Sequence, residues 1–382
     1  MKSFGKSDFI CPFCYDTYDK KLIKYVCPQD GCRSEAPAGK EPVRCVSPSC
    51  PGFATDRVCP GPRSGCTKKI PKIALETPNL RFSIVGISTS GKTNYITVML
   101  EELMNFAGLR LALGAQTRET TEIFKNNRKD IYELGRPLEA TNVGDAPPQI
   151  WYISNLAKQG TTILGRNFTP KYTFSIYDGA GENYDRMEAN EIRYIRSSEA
   201  FIITLDPLIL EGVRAFVDPE TISISYKADS EYVNSMEIVE TLVNHIKEIK
   251  GIRSDKPLDI PVAVVLTKFD TISSHATFTN SLVKKPSSCI SGGKGRVEEF
   301  DQVHDEIEHW LQSIGEQKFI NAMDSSFTTV DWIGRRKRHY KFFAVSSYGS
   351  VPTEANITPE RIRPHRVLDP MLWLFKLKDF VD

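Results

Sequence analysis

Three groups of residues in this sequence have types and spacings that could do chemistry. The first is Gly86-Ile87-Ser88-Thr89-Ser90-Gly91-Lys92-Thr93, which fits G-x-x-x-x-G-K-[ST]. Glycines let the backbone curl so that successive amides point inward at an oxyanion. A helix starting there adds its partial positive charge. Lys92 would reach the β- and γ-phosphates of a nucleoside triphosphate, and Thr93 would hold Mg²⁺. Gly86, Ser88, Thr89, Ser90, Gly91 and Asn94 would complete the cradle.

The second group handles the far end of the phosphate chain and the base. Asp178-Gly179-Ala180-Gly181-Glu182 places an acid three residues before a glycine. Asp178 would bind Mg²⁺ through water, and the Gly181 N–H would donate to the γ-phosphate. Thr267-Lys268-Phe269-Asp270 matches [NT]-K-x-D. The Asp270 carboxylate can accept from both N1–H and the N2 amine of guanine, a pair that adenine lacks. The Lys268 stem would lie over the base. Ser346 and Ser347 sit where a loop should bring a backbone N–H to guanine O6. A site built around a ligand's hydrogen-bonding groups rejects the analogue that lacks them.

The third group is cysteine. Eight of the nine thiols lie between Cys11 and Cys66, as the pairs Cys11/Cys14, Cys27/Cys32, Cys45/Cys50 and Cys59/Cys66. Each pair spans a turn containing Pro or Gly, as in zinc knuckles, and four pairs make two Cys₄ tetrahedra. Sequential, crossed and nested pairings all remain open. Full Cys₄ sites leave no open position, so the expected role is structural, and the segment has too few large apolar residues to fold without such a staple. A disulfide module is the lesser alternative. Cys289 stands alone and is read as incidental.

These groups need elements to hold them. Leu80 to Val85 reads as a buried strand, and Asn94 to Phe106 as a helix with Ile96, Leu100 and Leu103 on one face. Leu109 to Leu113 looks extended, and Arg118 to Leu134 helical. Gln149–Leu156 and Lys171–Tyr177 read as antiparallel partners, the second delivering Asp178. Glu199–Leu205, Ile260–Leu266 and Phe342–Val345 are further buried strands. Met236–Ile249, Val297–Ser313 and Val367–Phe380 are further helices. The Ser/Gly/Lys-rich stretch 271–295 is expected to be a mobile loop. The run Arg335-Arg336-Lys337-Arg338-His339 is expected to be a solvated loop ahead of a buried strand.

The pattern predicts an α/β chain: a small zinc-ribbon module over 1–72, then a three-layer P-loop domain over 73–382 with a mostly parallel sheet. Insertions fall near 208–235 and 271–300. The 382 residues carry a formal net charge of +1. Residues 1–72 alone are +6, and two Zn²⁺ on eight thiolates bring that to about +2, weak electrostatics for a phosphate backbone. Nucleic acid is therefore disfavoured, and protein partners are expected through the head and the loops around the nucleotide. No apolar run is long enough to span a membrane. The first ten residues lack a secretory core, so a cytoplasmic location is expected.

The order phosphate loop, threonine-bearing polar stretch, D-x-x-G, T-K-x-D and Ser-Ser resembles the GTPases of the translation-factor-related class, such as small Ras-like proteins. The resemblance covers about residues 78 to 382. The zinc head, D-x-A-G-E and Asp369-Pro370-Met371-Leu372-Trp373-Leu374 are similar to bacterial double-GTPase families of predicted conflict systems. The resemblance implies GTP/GDP, Mg²⁺ and two Zn²⁺ as cofactors. It also implies a switch or assembly regulator with partners, self-association included. Thr141 would be the second hydroxyl on Mg²⁺, with Thr161 or Thr162 as the alternative. One departure matters: Glu182 stands where Ras-like proteins carry a water-orienting Gln, so intrinsic hydrolysis is expected to be slow. No arginine finger can be named; Arg166, Arg186 and Arg193 are read as solvated charges. The rival readings are a non-catalytic GTP-bound scaffold, a zinc-dependent nucleic-acid binder and an ATPase.

Overall fold

The computed structural model describes residues 8–39, 41–86, 90–105, 110–138, 147–156, 158, 160–161, 167–178, 189–219, 222, 235–290, 297–351 and 362–380. Ser88, Thr89, Thr141, Thr162, Arg166, Gly181, Glu182 and Arg186 lie outside the described residues.

The larger part is an α/β assembly around one seven-stranded sheet. Its elements in chain order are β1 (Asn79–Gly86), α1 (Lys92–Asn105), β2 (Leu111–Ala115), α2 (Arg118–Tyr132), β3 (Gln149–Asn155), β4 (Lys171–Asp178), α3 (Ala189–Ser197) and β5 (Ala200–Leu205). They continue with α4 (Ser235–Lys250), β6 (Val262–Leu266), α5 (Val297–Ser313), α6 (Gln317–Phe327), β7 (Tyr340–Ala344) and α7 (Asp369–Lys376). The strand order is β7-β6-β5-β1-β4-β3-β2. The pairs from β7 to β4 are parallel, whereas β3 is antiparallel to both β4 and β2. A parallel strand covered on both faces reads as a continuous apolar run. β5 and β6 are buried at every position.

One core lies on each face of the sheet. On one side α4, α5 and α6 contribute Leu242, Ile246, Val303, Trp310, Phe319 and Phe327. On the other, α1, α2 and α7 contribute Leu100, Leu103, Phe124, Leu372 and Phe375. Buried polar groups on the strands are matched. Arg81 donates to the carbonyls of Asn79 and Ser197 and pairs with Glu199 at 3.2 Å.

The segment 271–290 is packed rather than mobile. Phe278, Val283 and Cys289 are buried in it. The buried Arg366 guanidinium donates to the carbonyls of Leu282, Val283 and Lys285 and pairs with Glu299 and Asp369. A fixed five-donor fork can collect that many acceptors at once. The start of the other insertion is also core: Leu208, Leu210, Val213 and Val217 are buried.

The cysteine-rich head is built from two- and three-residue strands. Asp8–Ile10 pairs with Thr17–Asp19, Lys24–Val26 lies between Glu35–Ala36 and Asp56–Val58, and Val43–Arg44 pairs with Phe53–Ala54. Its apolar core is small, with Phe9, Phe13, Tyr18, Ile23 and Tyr25, and it borrows Ile150 from β3. The head is seated on the sheet domain. Tyr15 packs edge-on against Tyr194 of α3 at 4.7 Å, and Tyr194 packs against Tyr177 of β4 at 4.3 Å. The Tyr194 hydroxyl donates to the Phe13 carbonyl at 2.6 Å in a buried setting. Lys68 pairs with Glu119 at the rim.

Candidate functional site

The glycine loop begins where β1 stops. In register, Gly86 lies opposite Thr204 of β5. A Cβ on Gly86 would sit 2.3 Å from Thr204 Oγ1 and 2.4 Å from its carbonyl oxygen, so only glycine fits. The chain then turns through Gly91 at φ +67°, a left-handed conformation that side chains resist. Ser90 Oγ is hydrogen-bonded to Thr204 Oγ1 at 2.8 Å, fastening the loop to β5. Helix α1 opens at Lys92, with the Tyr95 N–H donating to the Gly91 carbonyl.

Strand β4 runs parallel to β1 and carries Asp178 to the same edge. Lys92 Nζ lies 3.7 Å from Asp178 Oδ1, and Thr93 Oγ1 donates to Asp178 Oδ2 at 2.7 Å. All three therefore meet at one point, with Lys92 and Asp178 buried. The carboxylate is the anion that the ammonium and hydroxyl contact here. A phosphate oxygen for Lys92, and Mg²⁺ shared by Thr93 and Asp178, fit the same donors and acceptors. The Asn94 side-chain oxygen accepts from the Leu138 N–H at 2.9 Å and from the Tyr348 hydroxyl, so it joins two loops. Thr161 lies in a two-residue strand, Gly160–Thr161, between β3 and β4.

The T-K-x-D turn and Ser346 lie at the same edge, past the ends of β6 and β7. Thr267 donates through both N–H and Oγ1 to the Leu205 carbonyl, holding the turn after β6 against β5. Lys268 adopts φ +50°. Its ammonium is 2.5 Å from Asp206 Oδ2, and Asp206 is fully buried. That pair fixes the lysine stem. Asp270 accepts from Ser346 Oγ, and Ser346 Oγ accepts from the Gly349 N–H at 2.7 Å. Ser346 also bridges to His365 through both backbone groups. Burial raises the Asp270 pKa above the usual carboxylate value. Ser347 is half-buried beside Ser346.

The thiols form two groups. Cys11, Cys14, Cys59 and Cys66 lie together, as do Cys27, Cys32, Cys45 and Cys50, with the ligand atoms of each group within 4.8 Å of one another. The pairing is nested, the first pair with the fourth and the second with the third. Four sulfurs about 2.3 Å from one ion stand about 3.8 Å apart. Cys14–Cys59 is 3.8 Å, Cys27–Cys50 3.7 Å and Cys32–Cys45 3.4 Å, so both groups would fit a tetrahedral ion. The Phe13 and Gly61 amides donate to Cys11 and Cys59 sulfur at 3.4 Å, and the Tyr18 hydroxyl donates to Cys59 at 3.1 Å. Such outer bonds orient ligands and favour thiolate. A third group, His304, Asp305 and Glu308, lies beside Arg338, whose guanidinium already binds Glu308.

Sequence reasoning assigns no role to Asp206, Thr204 or Tyr348, although Asp206 ends a buried strand one residue before a proline, a signal for a fixed acid. Arg193 is not simply solvated: it donates to the Arg63 carbonyl in the head at 3.4 Å.

No protein-family model matches the chain, and no curated protein matches it in sequence. Among solved structures, that of the bacterial selenocysteine-specific elongation factor EF-Sec is similar at 13% identity and a TM-score of 0.29. The likeness covers 80% of this chain and 30% of that one. At that score it carries no argument about function. No described helix is long and apolar enough to cross a membrane.

Proposed function

We propose that this chain binds GTP with Mg²⁺ and hydrolyses it to GDP and phosphate as a molecular switch or assembly regulator. In this reading two Cys₄ zinc ions hold its head together. The observation that supports this most is the convergence of Lys92 and Thr93 on Asp178, on the sheet edge where Lys268, Asp270 and Ser346 also gather. Lys92 neutralises the β- and γ-phosphate oxygens. Thr93 and Asp178 hold the metal, and Mg²⁺ supplies charge stabilisation on the transferring phosphoryl group. Asp270 reads guanine with its free acceptor positions while Ser346 keeps it oriented. From the sequence, Thr141 is the second metal hydroxyl, the Gly181 N–H holds the γ-phosphate, and Glu182 orients water. A carboxylate in that last place keeps intrinsic turnover low.

The packing of Tyr15 on Tyr194, and of Tyr194 on Tyr177, supports the head as the element that feels the nucleotide, since Tyr177 is the residue before Asp178. A role in a defence-type multi-protein system rests on the sequence resemblance alone. A non-catalytic scaffold is the second reading, supported by Glu182. Nucleotide titration and single-turnover assays with GTP and ATP, on the wild type and Lys92→Ala, test the proposal. Removing the buried ammonium should weaken GTP binding at least about 100-fold, the scale of a lost charge-assisted contact. Equal binding by the variant, or equal use of ATP, would overturn it. Tight GTP binding without turnover would select the scaffold.

A further inference from the structure

The basic run near residue 335 belongs to a hairpin. Thr328–Val330 pairs antiparallel with Arg336–Arg338. Its base is anchored: Phe327 is fully buried, Thr329 Oγ1 is 2.7 Å from His339 Nε2, and Arg338 binds Glu308 and Asp324. Its tip is closed by its own polar groups. The Asp331 carboxylate accepts from the Ile333 and Arg335 amides at 3.0 and 2.9 Å and pairs with the Arg335 guanidinium. The Asp331 and Gly334 amides also close on Arg335 and Asp331, with Gly334 at φ +81°.

What this turn presents is apolar. Trp332 is 93% exposed, Val330 63% and Ile333 48%. A lone exposed apolar side chain needs no explanation, but three together on an internally locked turn mark a contact surface. Trp and Arg are also the residues most often found at the centre of protein interfaces, and pre-ordering the turn lowers the cost of binding.

We propose that hairpin 328–339 is a docking finger for a protein partner that has an apolar pocket for Trp332 and an acidic side chain on its rim facing Lys337. The charge favours one acidic group on that rim: Lys337 is the cation that the hairpin's own ion pairs leave unmatched. It does not favour a bilayer or nucleic acid. Arg335, Arg336 and Arg338 are already paired with Asp331, Asp324 and Glu308. Lys337 alone has no acidic partner among the described residues, whereas anionic surfaces recruit through clusters of about four or more free cations. A carboxylate also splits the apolar tip. The finger leads into the start of β7, at the end of the sheet opposite Lys268, Asp270 and Ser346. Docking there leaves the nucleotide edge clear, so affinity should not depend on GTP or GDP.

The test starts with a photo-crosslinker, Ile333→p-benzoylphenylalanine, in the full chain in cells that make it. The crosslinked protein is then purified separately and titrated against the wild type, Trp332→Ala and Lys337→Glu. Trp332→Ala should leave the melting temperature unchanged and weaken binding at least about 30-fold, the scale of an interface anchor. Lys337→Glu should slow association at low salt. Wild-type affinity should be the same with GTP and GDP. Equal affinity of Trp332→Ala, absence of any crosslinked partner, crosslinks only to a second copy, or Trp332-dependent sedimentation with phosphatidylserine vesicles would each overturn the proposal.

Discussion

Asp270→Asn isolates the proposed base-reading step. Asp270 Oδ1 already accepts from Ser346, and a carboxylate has about four acceptor positions, so enough remain for the two guanine donors. Hydrogen bonds to a charged acceptor are worth about 1.5–3 kcal/mol each, so losing both costs about 3–6 kcal/mol, or roughly 10²–10⁴ in affinity. The amide keeps one acceptor oxygen, which places the expected loss of GTP affinity toward the lower end of that range. The new NH₂ group would face a donor in guanine but an acceptor carbonyl in xanthine. XTP should therefore gain on GTP in the same variant. Competition titrations with GTP, XTP and ATP on folded protein give the ratios directly. A GTP-to-XTP ratio that does not move would refute base recognition by Asp270. Acid offers a second check on the same group. Its raised pKa means that GTP affinity should fall on acidification at a pH above the ordinary 3.8. The nucleotide-free fold gains from the same protonation, so its stability contribution from Asp270 is lost as pH rises through the raised value.

Tyr194→Phe removes the donor to the buried Phe13 carbonyl and should destabilise the head–sheet contact by about 1–3 kcal/mol, read as faster amide exchange at residues 9–15. Unchanged exchange would show that the contact holds nothing. The group Cys27/Cys32/Cys45/Cys50 has three half-exposed members and the other group one. A chromogenic chelator should therefore release zinc in two phases, and a single phase would contradict the difference in access. His304 is buried, its Nδ1 accepts from the Phe342 N–H, and burial lowers its pKa to about 4. Its stabilising contribution is full above the unfolded value near 6.5 and is lost as pH falls toward 4, about 3 kcal/mol in all. Thermal melts of wild type and His304→Asn across that range should converge at low pH, and parallel curves would exclude it.

The parallel strands were legible because burial on both faces writes itself as runs such as Val262–Leu266. The glycine loop and T-K-x-D were legible because their chemistry is local in sequence. The nested cysteine pairing was not, since it depends on Lys24–Val26 pairing with the distant strand Asp56–Val58. The polar composition of 271–290 suggests mobility, yet Arg366, far downstream, gathers its carbonyls and holds it down. Helix α6 has Phe319, Ile320, Met323 and Phe327 at helical spacing, but its intervening Asn, Asp and Ser residues dilute the signal. The full exposure of Trp332 was illegible, because a tryptophan before a basic run reads as easily as core.

With zinc in both groups, nesting would also set an order of assembly. Cys14 and Cys59 are 45 residues apart, whereas Cys32 and Cys45 are 13. An ion captured by the inner four acts as a stitch that roughly halves the slack left for the outer four, an easing of about 0.6 kcal/mol. As the chain emerges from the ribosome, Cys50 appears before Cys59 and Cys66. A zinc-loaded head would therefore be wound from the inside out, and its outer group, beside the Phe13 and Tyr15 contacts to Tyr194, would be the last to close.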